Sequence, residues 1–187
     1  MNTTTTCIVG YVDKKGNMFI GGDSAGVGGL HIRKRSDVKV FQKENMLIGY
    51  TSSFRMGQLL RYKLNIPKQE ANRTDYEYMC TSFIDAVRDC LKNNGYLSIN
   101  NNKEEIGTFL VLYKSKVYRI DNDLQVGMYY ENYDSCGCGE CYALGAVHNL
   151  DKKLDSKIIV RKALETAEKF SAGVRRPFVI ISLKRRK

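Results

Sequence analysis

A single stretch near the N-terminus decides the fold: Thr3-Thr4-Thr5-Thr6-Cys7-Ile8-Val9-Gly10-Tyr11-Val12, in which a polar cap leads into an apolar strand. A turn at Asp13-Lys14-Lys15-Gly16 follows, and a second apolar run, Met18-Phe19-Ile20, stops at Gly21-Gly22-Asp23. Two apolar runs around a short turn predict an antiparallel hairpin. Antiparallel pairing returns the end of the second strand to the start of the first. We therefore expect Thr6 or Cys7 to lie beside Asp23.

A hydroxyl or thiol beside a carboxylate makes this hairpin a candidate nucleophilic site. An N-terminal threonine can use its own α-amine as the base that activates its hydroxyl. That chemistry needs a free amine on Thr6, so residues 1–5 would be a propeptide. Its removal would be autocatalytic at the Thr5–Thr6 bond, unless a later start is used in the cell.

The motifs resemble those of the proteasome β-subunit family, and especially of the bacterial HslV-type peptidases. Members of that family begin with Thr-Thr-x-Val, continue through a hairpin to a Gly-Asp or Ala-Asp pair, and then carry a Lys-Val pair. The matching residues here are Thr6-Cys7-Ile8-Val9, Gly22-Asp23 and Lys39-Val40. Asp23 and Lys39 are 16 residues apart, the interval typical of the family.

This resemblance implies a four-layer αββα sandwich of the N-terminal-nucleophile (Ntn) hydrolase type, with two antiparallel sheets between helix layers. It implies a threonine endopeptidase that cuts unfolded polypeptide and assembles into a homo-oligomeric ring. A separate ATP-dependent unfoldase would feed the ring, because the chain contains no phosphate-binding loop of its own. The resemblance implies no cofactor.

Length and composition predict a single domain over residues 1–187. The chain has 43% hydrophobic residues and two prolines, which argues against disorder. No apolar run approaches the roughly 18 residues of a membrane span, and the N-terminus lacks the apolar core of a signal peptide. We therefore expect a cytoplasmic protein with no membrane partner, whose six cysteines are reduced thiols.

The net charge of +10 does not indicate nucleic-acid binding, because of how the basic residues are distributed. They cluster at Arg33-Lys34-Arg35, Arg175-Arg176 and Lys184-Arg185-Arg186-Lys187, and the rest are spread along the chain. No zinc finger, RNP motif or basic-aromatic stripe accompanies them. A solvated basic surface is the simpler interpretation, and no nucleic-acid partner is predicted.

The remaining chain alternates between strand and helix patterns. Further strands are predicted at 39–41, 46–51, 108–113, 116–120, 126–130 and 178–183, the last of them buried. Helical stripes cover 54–64, 76–91, 142–147 and 159–170; Thr74-Asp75 and Ser156 are the predicted N-caps of the second and fourth, and Gly137-Cys138-Gly139 opens the third. Periodicity alone supports a layered α/β domain.

Thr6 and Cys7 compete for the role of nucleophile. Thr6 gives the better strand alignment with the family, at the cost of one extra residue in the hairpin turn. Cys7 lies 16 residues before Asp23, which matches the family's spacing without a gap. A thiol is the stronger nucleophile, but free cysteines are also among the most buried residues. We favour Thr6, because a turn absorbs an inserted residue more easily than a strand tolerates a shift that reverses its faces.

Asp23 and Lys39 are predicted to act together at the site. A carboxylate fixes a neighbouring ammonium, and the ammonium lowers the proton affinity of a nearby nucleophile. Taken singly, each residue would more often be a surface charge. The resemblance makes them catalytic partners of Thr6.

The resemblance also assigns four supporting residues, with departures from the family pattern. Ser52-Ser53 replaces a Gly-Gly pair, so the backbone N–H of Ser53 would supply the oxyanion hole, although an ordinary helix N-cap explains these serines equally well. Cys138 replaces the serine of a Gly-Ser-Gly motif whose side chain bonds near the nucleophile's amine. Glu168 and Ser171 stand where the family has Asp and Ser.

A metal site is a weaker reading of the cysteines. Cys136, Cys138 and Cys141 supply three thiols, but no well-spaced fourth ligand accompanies them. His31 and His148 have no triad-like context and are read as structural or surface residues. We predict no metal.

Two functions from different classes fit these residues. The first is an Ntn threonine peptidase. The second is a catalytically inactive proteasome-like scaffold or assembly subunit, which the replacements at Ser52-Ser53, Cys138 and Glu168 favour. A Cys7-dependent Ntn amidohydrolase is a variant of the first.

Overall fold

Two antiparallel β-sheets form the centre of the protein, in a computed structural model that describes residues 5–185. In chain order the strands are β1 (Ile8–Val12), β2 (Met18–Gly22), β3 (Ala25–Gly28), β4 (His31–Lys34), β5 (Val40–Lys43), β6 (Met46–Tyr50), β7 (Ser98–Asn100), β8 (Lys103–Glu105), β9 (Phe109–Tyr113), β10 (Lys116–Ile120), β11 (Val126–Gly127), β12 (Tyr133–Cys136) and β13 (Val179–Leu183). The first sheet has the order β12-β1-β2-β13 and the second β11-β10-β9-β6-β5.

Five helices cover the outer faces of the sheets. They are α1 (Phe54–Tyr62), α2 (Asp75–Tyr78), α3 (Ile84–Asn93), α4 (Glu140–Asn149) and α5 (Ser156–Phe170). A π-helical turn, Met79–Phe83, joins α2 and α3 into one continuous helix. None of the helices in this described part of the chain has the length and apolar character needed to cross a bilayer.

The alternation of side chains along β1 generates the layers. Ile8 and Val12 pack between the two sheets with residues such as Leu47 and Leu112. The intervening Val9 and Tyr11 point the other way and pack against α4 and α5. A third cluster joins α1 and α3 to the outer face of the second sheet. The four-layer αββα sandwich predicted from the sequence is confirmed.

The helix starts agree with the predicted caps at two of three places. The Ser53 hydroxyl accepts the N–H groups of the first turn of α1, and Thr74 forms a capping box with Glu77. The prediction of Ser156 as a cap was wrong by one residue. Asp155 caps α5, because its carboxylate accepts the first free N–H groups while Ser156 is already helical.

Several strand predictions need correction. The segment 126–130 is extended only over Val126–Gly127, and the last strand is half-buried because β13 lies at a sheet edge. The short hairpin of β3 and β4 was not predicted, and neither was β12. The Asn-rich stretch 100–102, at the turn between β7 and β8, is exposed.

Candidate active site

Three side chains predicted from spacing meet at one end of the sandwich. Thr6 precedes β1 and Asp23 follows β2, so antiparallel pairing brings these two residues together. Lys39 precedes β5 of the second sheet and reaches them across the contact between the two sheets. Lys39 Nζ donates to Thr6 Oγ1 at 2.8 Å and to Asp23 Oδ1 at 2.9 Å. All three residues are at most 3% exposed. The structure thus places a hydroxyl, an ammonium and a carboxylate in one buried chain of contacts.

Asp23 is held by the backbone as well as by Lys39. Its Oδ1 accepts the N–H of Cys7 at 3.1 Å, and its Oδ2 accepts those of Ala25 at 2.8 Å and Arg175 at 3.3 Å. Three backbone donors and an ammonium satisfy a carboxylate that is almost completely removed from water. The carboxylate therefore has one orientation, which in turn fixes the ammonium of Lys39.

Two opposing effects act on the pKa of Lys39. Burial is the larger and lowers the pKa below its usual value, because the charged form loses its hydration. The charge and hydrogen bond of Asp23 act in the other direction. Loss of a proton therefore comes more easily at Lys39 than at an exposed lysine.

The strand alternation separates Thr6 from Cys7. Thr6 turns its hydroxyl to Lys39, whereas the Cys7 side chain belongs to the cluster under α4 and α5 and is 0% exposed. Cys7 Sγ lies 3.7 Å from Ser135 Oγ, and burial raises its pKa to about 12. A thiolate at this position is strongly disfavoured. In this structure Thr6, and not Cys7, presents its side chain to Lys39.

The backbone of Thr6 is in close contact with the segment before α4. Thr6 N–H donates to Cys138 Sγ at 3.3 Å, and the thiol is also 3.4 Å from the Thr6 carbonyl oxygen. Ser171 Oγ donates to the same sulfur at 3.1 Å. Gly137 has φ +101°, and a Cβ there would come within 2.2 Å of the Thr6 carbonyl oxygen. Only glycine allows this approach.

A small pocket of about 80 Å³ opens beside Thr6. Its lining residues are Thr5, Thr6, Val27, Lys39, Tyr50, Thr51, Ser52, Ser53 and Phe54. The Thr6 hydroxyl is directed at the carbonyl oxygen of Thr5. A larger groove of about 700 Å³ lies elsewhere, along Pro67, Tyr78 and Lys114, and contains none of the predicted site residues.

Ser53 lines the pocket but does not offer its backbone N–H to it. That N–H donates to the Thr51 carbonyl at 2.8 Å, across Ser52, whose φ is +69°. The side chain of Ser53 caps α1. The prediction of Ser53 as oxyanion donor therefore does not match this conformation, because its N–H is already hydrogen-bonded within the turn at Ser52.

Glu168 does not reach Thr6 either. Its carboxylate accepts the N–H of Arg176 at 2.8 Å and forms an ion pair with the Arg176 guanidinium at 2.7 Å. These contacts fix Arg176, and the residue before it, Arg175, donates its backbone N–H to the Asp23 carboxylate. The Glu168 side chain thus supports Asp23 only indirectly, through Arg176 and Arg175, and does not contact Thr6.

The cysteines suspected of binding metal point in different directions. The Cys136 side chain is buried between the sheets, Cys138 contacts Thr6, and Cys141 is exposed on α4. Within residues 5–185 no three His, Cys, Asp or Glu side chains are grouped as a metal site would require. His31 is exposed, and His148 contacts the hydroxyl of Tyr133 at 3.2 Å.

Some contributors to the site were missed by sequence reasoning. Arg175 acts through its backbone N–H, for which a side-chain pattern gives no signal. Thr51 lines the pocket from the end of β6, and it was read only as the last residue of a strand. Arg35 was noted as part of a basic cluster, although it packs on the Phe54 ring at 3.9 Å.

No protein-family model matches the chain, and no curated protein matches it. Solved structures do. BPH from Thiobacillus denitrificans in complex with epoxomicin is 17% identical, with a TM-score of 0.76 over 95% of this chain and 98% of BPH. Eukaryotic HslV from Trypanosoma brucei is 16% identical, with a TM-score of 0.67 over 96% and 99% of the two chains. Anbu (ancestral beta-subunit) from Yersinia bercovieri is 12% identical, with a TM-score of 0.64 over 95% and 81%.

At these identities the likeness concerns the fold. It extends over nearly the whole chain in all three comparisons. The protein therefore has the proteasome-like fold of the Ntn hydrolases, as seen in HslV, BPH and Anbu.

Proposed function

We propose that the protein is a threonine-type peptidase in which Thr6 is the nucleophile. The observation that carries the proposal is the buried chain of contacts from Thr6 Oγ1 through Lys39 Nζ to Asp23 Oδ1. A fixed ammonium beside a hydroxyl stabilises the negative charge that develops when the hydroxyl attacks a carbonyl. Lys39 is assigned to that stabilisation, and Asp23 to holding Lys39 in place.

The reaction follows from a free amine on Thr6. Thr6 Oγ1 attacks the scissile carbonyl carbon, the α-amine takes the hydroxyl proton, and the same proton passes to the leaving nitrogen. The peptide bond breaks and an ester to Thr6 forms. A water molecule then hydrolyses the ester, which releases a carboxylic acid and restores the hydroxyl.

Self-cleavage at the Thr5–Thr6 bond would supply that amine. The Thr6 hydroxyl already contacts the carbonyl oxygen of Thr5, next to Lys39. Attack on the Thr5 carbonyl carbon would move the acyl group from nitrogen to oxygen, and water would then cleave the ester. Residues 1–5 would leave as the propeptide; Met1–Thr4 lie outside the described residues.

The proteasome-like fold supports the rest of the proposal at a coarser level. We infer a homo-oligomeric, ring-forming assembly whose substrates are unfolded polypeptides and whose unfoldase is a separate ATP-dependent protein. A cytoplasmic location belongs to the same inference. None of these properties follows from the active-site geometry itself, so each needs its own test.

The decisive experiment compares adjacent residues on opposite faces of one strand. A chain that begins at Thr6 is expected to hydrolyse small peptide amides, and Thr6→Ala should reduce the rate by about 10³-fold or more. Cys7→Ala is the matched control, and it should retain most activity because its thiol points away from Lys39. Intact mass reports whether residues 1–5 are removed from the full chain.

Epoxomicin provides a second probe, because BPH from T. denitrificans has been solved with it. We expect it to raise the melting temperature of the chain that begins at Thr6, and Thr6→Ala to lose the effect. Loss of activity with Cys7→Ala and its retention with Thr6→Ala, each measured with the tested residue exposed as the N-terminus, would instead assign the chemistry to the thiol.

A catalytically inactive scaffold is the second candidate. The observation that favours it is the Ser53 N–H, the expected oxyanion donor, which is engaged by Thr51. Absence of hydrolysis from both exposed termini, in folded and assembled protein, would support this alternative over the peptidase.

A further inference from the structure

Two exposed cysteines stand at the start of α4, in the sequence Cys138-Gly139-Glu140-Cys141. The other four cysteines are less accessible, since Cys7 and Cys136 are buried and Cys80 and Cys90 are half-buried. Two cysteines separated by two residues at the N-terminus of a helix are typical of redox-active dithiols. The spacing and the exposure therefore single out this pair for thiol chemistry.

The coiled backbone at this point brings the two cysteines within the range of a disulfide. Glu140 N–H donates to the carbonyl of Gly137 at 3.1 Å. Ala143 N–H then donates to the carbonyl of Gly139 at 3.0 Å, so the chain is coiled throughout the segment that holds both cysteines. Three residues of such a coil separate two Cα atoms by roughly 5–6 Å, and disulfides join Cα atoms roughly 4.4–6.8 Å apart. Closing the bond therefore needs side-chain rotation and only a small shift of the backbone.

In the reduced protein the sulfur of Cys138 is directed at Thr6. It accepts the N–H of Thr6 at 3.3 Å and the hydroxyl of Ser171 at 3.1 Å. It also lies close to Gly173, where an added Cβ would come within 2.7 Å of it. The nitrogen that it contacts is the one that becomes the α-amine once Thr6 is the N-terminal residue. The thiol therefore bears directly on the base of the proposed mechanism.

The sulfur of Cys138 cannot keep these contacts and also bond to Cys141. Cys141 is exposed on α4, so closure requires a rotation about χ1 of Cys138 that turns its sulfur away from Thr6. The nitrogen of Thr6 and the hydroxyl of Ser171 then lose the acceptor that they share. The redox state of the pair is in this way coupled to the position of the Thr6 nitrogen.

We propose that Cys138 and Cys141 form a reversible disulfide that switches off hydrolysis at Thr6. The proposal rests on the proposed function, because it names the regulation of the same site. A serine at position 138, as the family pattern has it, would hold the nitrogen of Thr6 but could not be oxidised to a disulfide. The thiol adds a sensitivity to oxidants that a hydroxyl does not have.

The oxidant of this step is a small disulfide, for which glutathione disulfide serves as the probe. The thiolate of one cysteine attacks a sulfur of the probe, whose S–S bond breaks and releases one glutathione. The thiolate of the other cysteine attacks the protein sulfur of the mixed disulfide and releases the second glutathione. The protein loses two electrons and two protons, and the probe gains them. Dithiothreitol reverses the exchange and restores both thiols.

Mass spectrometry tests the bond without any need for activity. The folded full chain is treated with glutathione disulfide and quenched with acid. Its intact mass should fall by two hydrogen atoms, and peptide mapping should place the bond between Cys138 and Cys141. Cys141→Ser should form no such bond, whereas the matched control Cys80→Ser should form it as wild type does. A glutathione adduct on Cys138 that persists in wild type, in place of the internal bond, overturns the proposal.

Hydrolysis of small peptide amides by the chain that begins at Thr6 tests the switch itself. Oxidation should lower the rate about tenfold or more, and dithiothreitol should restore it. Cys141→Ser should keep its rate under the same oxidation, while Cys80→Ser should lose it as wild type does. An unchanged rate in protein whose disulfide is fully formed overturns the switch and leaves the proposed function standing. If the bond forms but the reduced protein hydrolyses nothing, the proposed function fails, and the redox-active pair alone is supported.

Discussion

The ion pair of Lys39 and Asp23 is the residue-scale feature on which the proposed chemistry depends. Both side chains are at most 2% exposed, so neither charge is stabilised by water. A buried pair contributes little net stability, because desolvation offsets most of the attraction, but the loss of one partner leaves an uncompensated charge. Asp23 keeps three backbone donors in any case. The pair is therefore better explained by reactivity at Thr6 than by stability.

Replacement of Lys39 tests this explanation. Lys39→Met keeps the aliphatic stem and removes the ammonium, so hydrolysis should fall by about 10²-fold or more. The free energy of unfolding should fall by less than the roughly 3–5 kcal/mol that loss of one partner of a buried ion pair costs, since Asp23 retains its backbone donors. Rates on peptide amides and urea unfolding measure the two effects. Lys162→Met, on the exposed face of α5, is the matched control. Full activity in Lys39→Met would exclude Lys39 from the mechanism.

At the scale of the element, β12 lies at the edge of the first sheet, and side chains bond to the backbone groups of its outer side. Val12 N–H donates to the carbonyl oxygen of Asn132, so these two residues form a hydrogen-bonded pair. Because such pairs alternate along antiparallel strands, the backbone N–H and C=O of Ser135 point away from β1. Ser135 N–H donates to Asp134 Oδ1 at 2.8 Å, and its carbonyl accepts from Arg119 at 3.1 Å. Side chains therefore occupy backbone hydrogen-bonding groups with which another strand could otherwise pair.

This arrangement makes the free energy of unfolding depend on pH through Asp134. Its Oδ2 has no partner within residues 5–185, and burial raises its pKa from 3.8 to about 6. The folded state thus holds the proton more tightly than the unfolded state, so this group's contribution to stability falls as the pH rises from about 4 to about 6.

Asp134→Asn should remove that dependence. The amide oxygen can still accept from Ser135, and no charge has to be buried, so the variant should be more stable than wild type at pH 7.5 by about 1–2 kcal/mol. The difference should be much smaller at pH 4.5. Urea unfolding at the two pH values measures it, and an equal difference at both would contradict the role of ionisation.

The same elements show what the sequence could and could not predict. The hairpin of β1 and β2 has a clear apolar pattern, and its pairing alone brings Thr6 and Asp23 together. By contrast, β12 has the sequence Tyr-Asp-Ser-Cys, in which a buried carboxylate and a buried hydroxyl stand where a strand pattern would have apolar residues. The exposed hairpin of β3 and β4 buries too little to leave a pattern. Contacts such as those of Thr51 depend on tertiary packing and leave no local signal.

At the scale of the whole molecule, a high net charge is combined with exposed apolar side chains at the surface. The chain carries a net charge of +10, which favours repulsion between copies. Yet Leu30, at the tip between β3 and β4, and Tyr130, after β11, are fully exposed, and Met128 and Tyr129 are at least 46% exposed. Exposed aromatic residues and methionine are enriched where proteins contact one another. The surface is thus consistent with the inferred assembly.

Light scattering at micromolar concentration tests the assembly directly. We expect wild-type protein to be a stable homo-oligomer, and Leu30→Glu or Tyr130→Glu to shift it towards monomer, because an interface that buries either side chain cannot accommodate an unpaired carboxylate. Both positions are exposed within the chain, so melting of the separated monomer should change little. An oligomer that both variants leave intact would place the interface elsewhere. A monomeric wild-type protein would contradict the ring while leaving the fold untouched, and hydrolysis would then be a property of the single subunit.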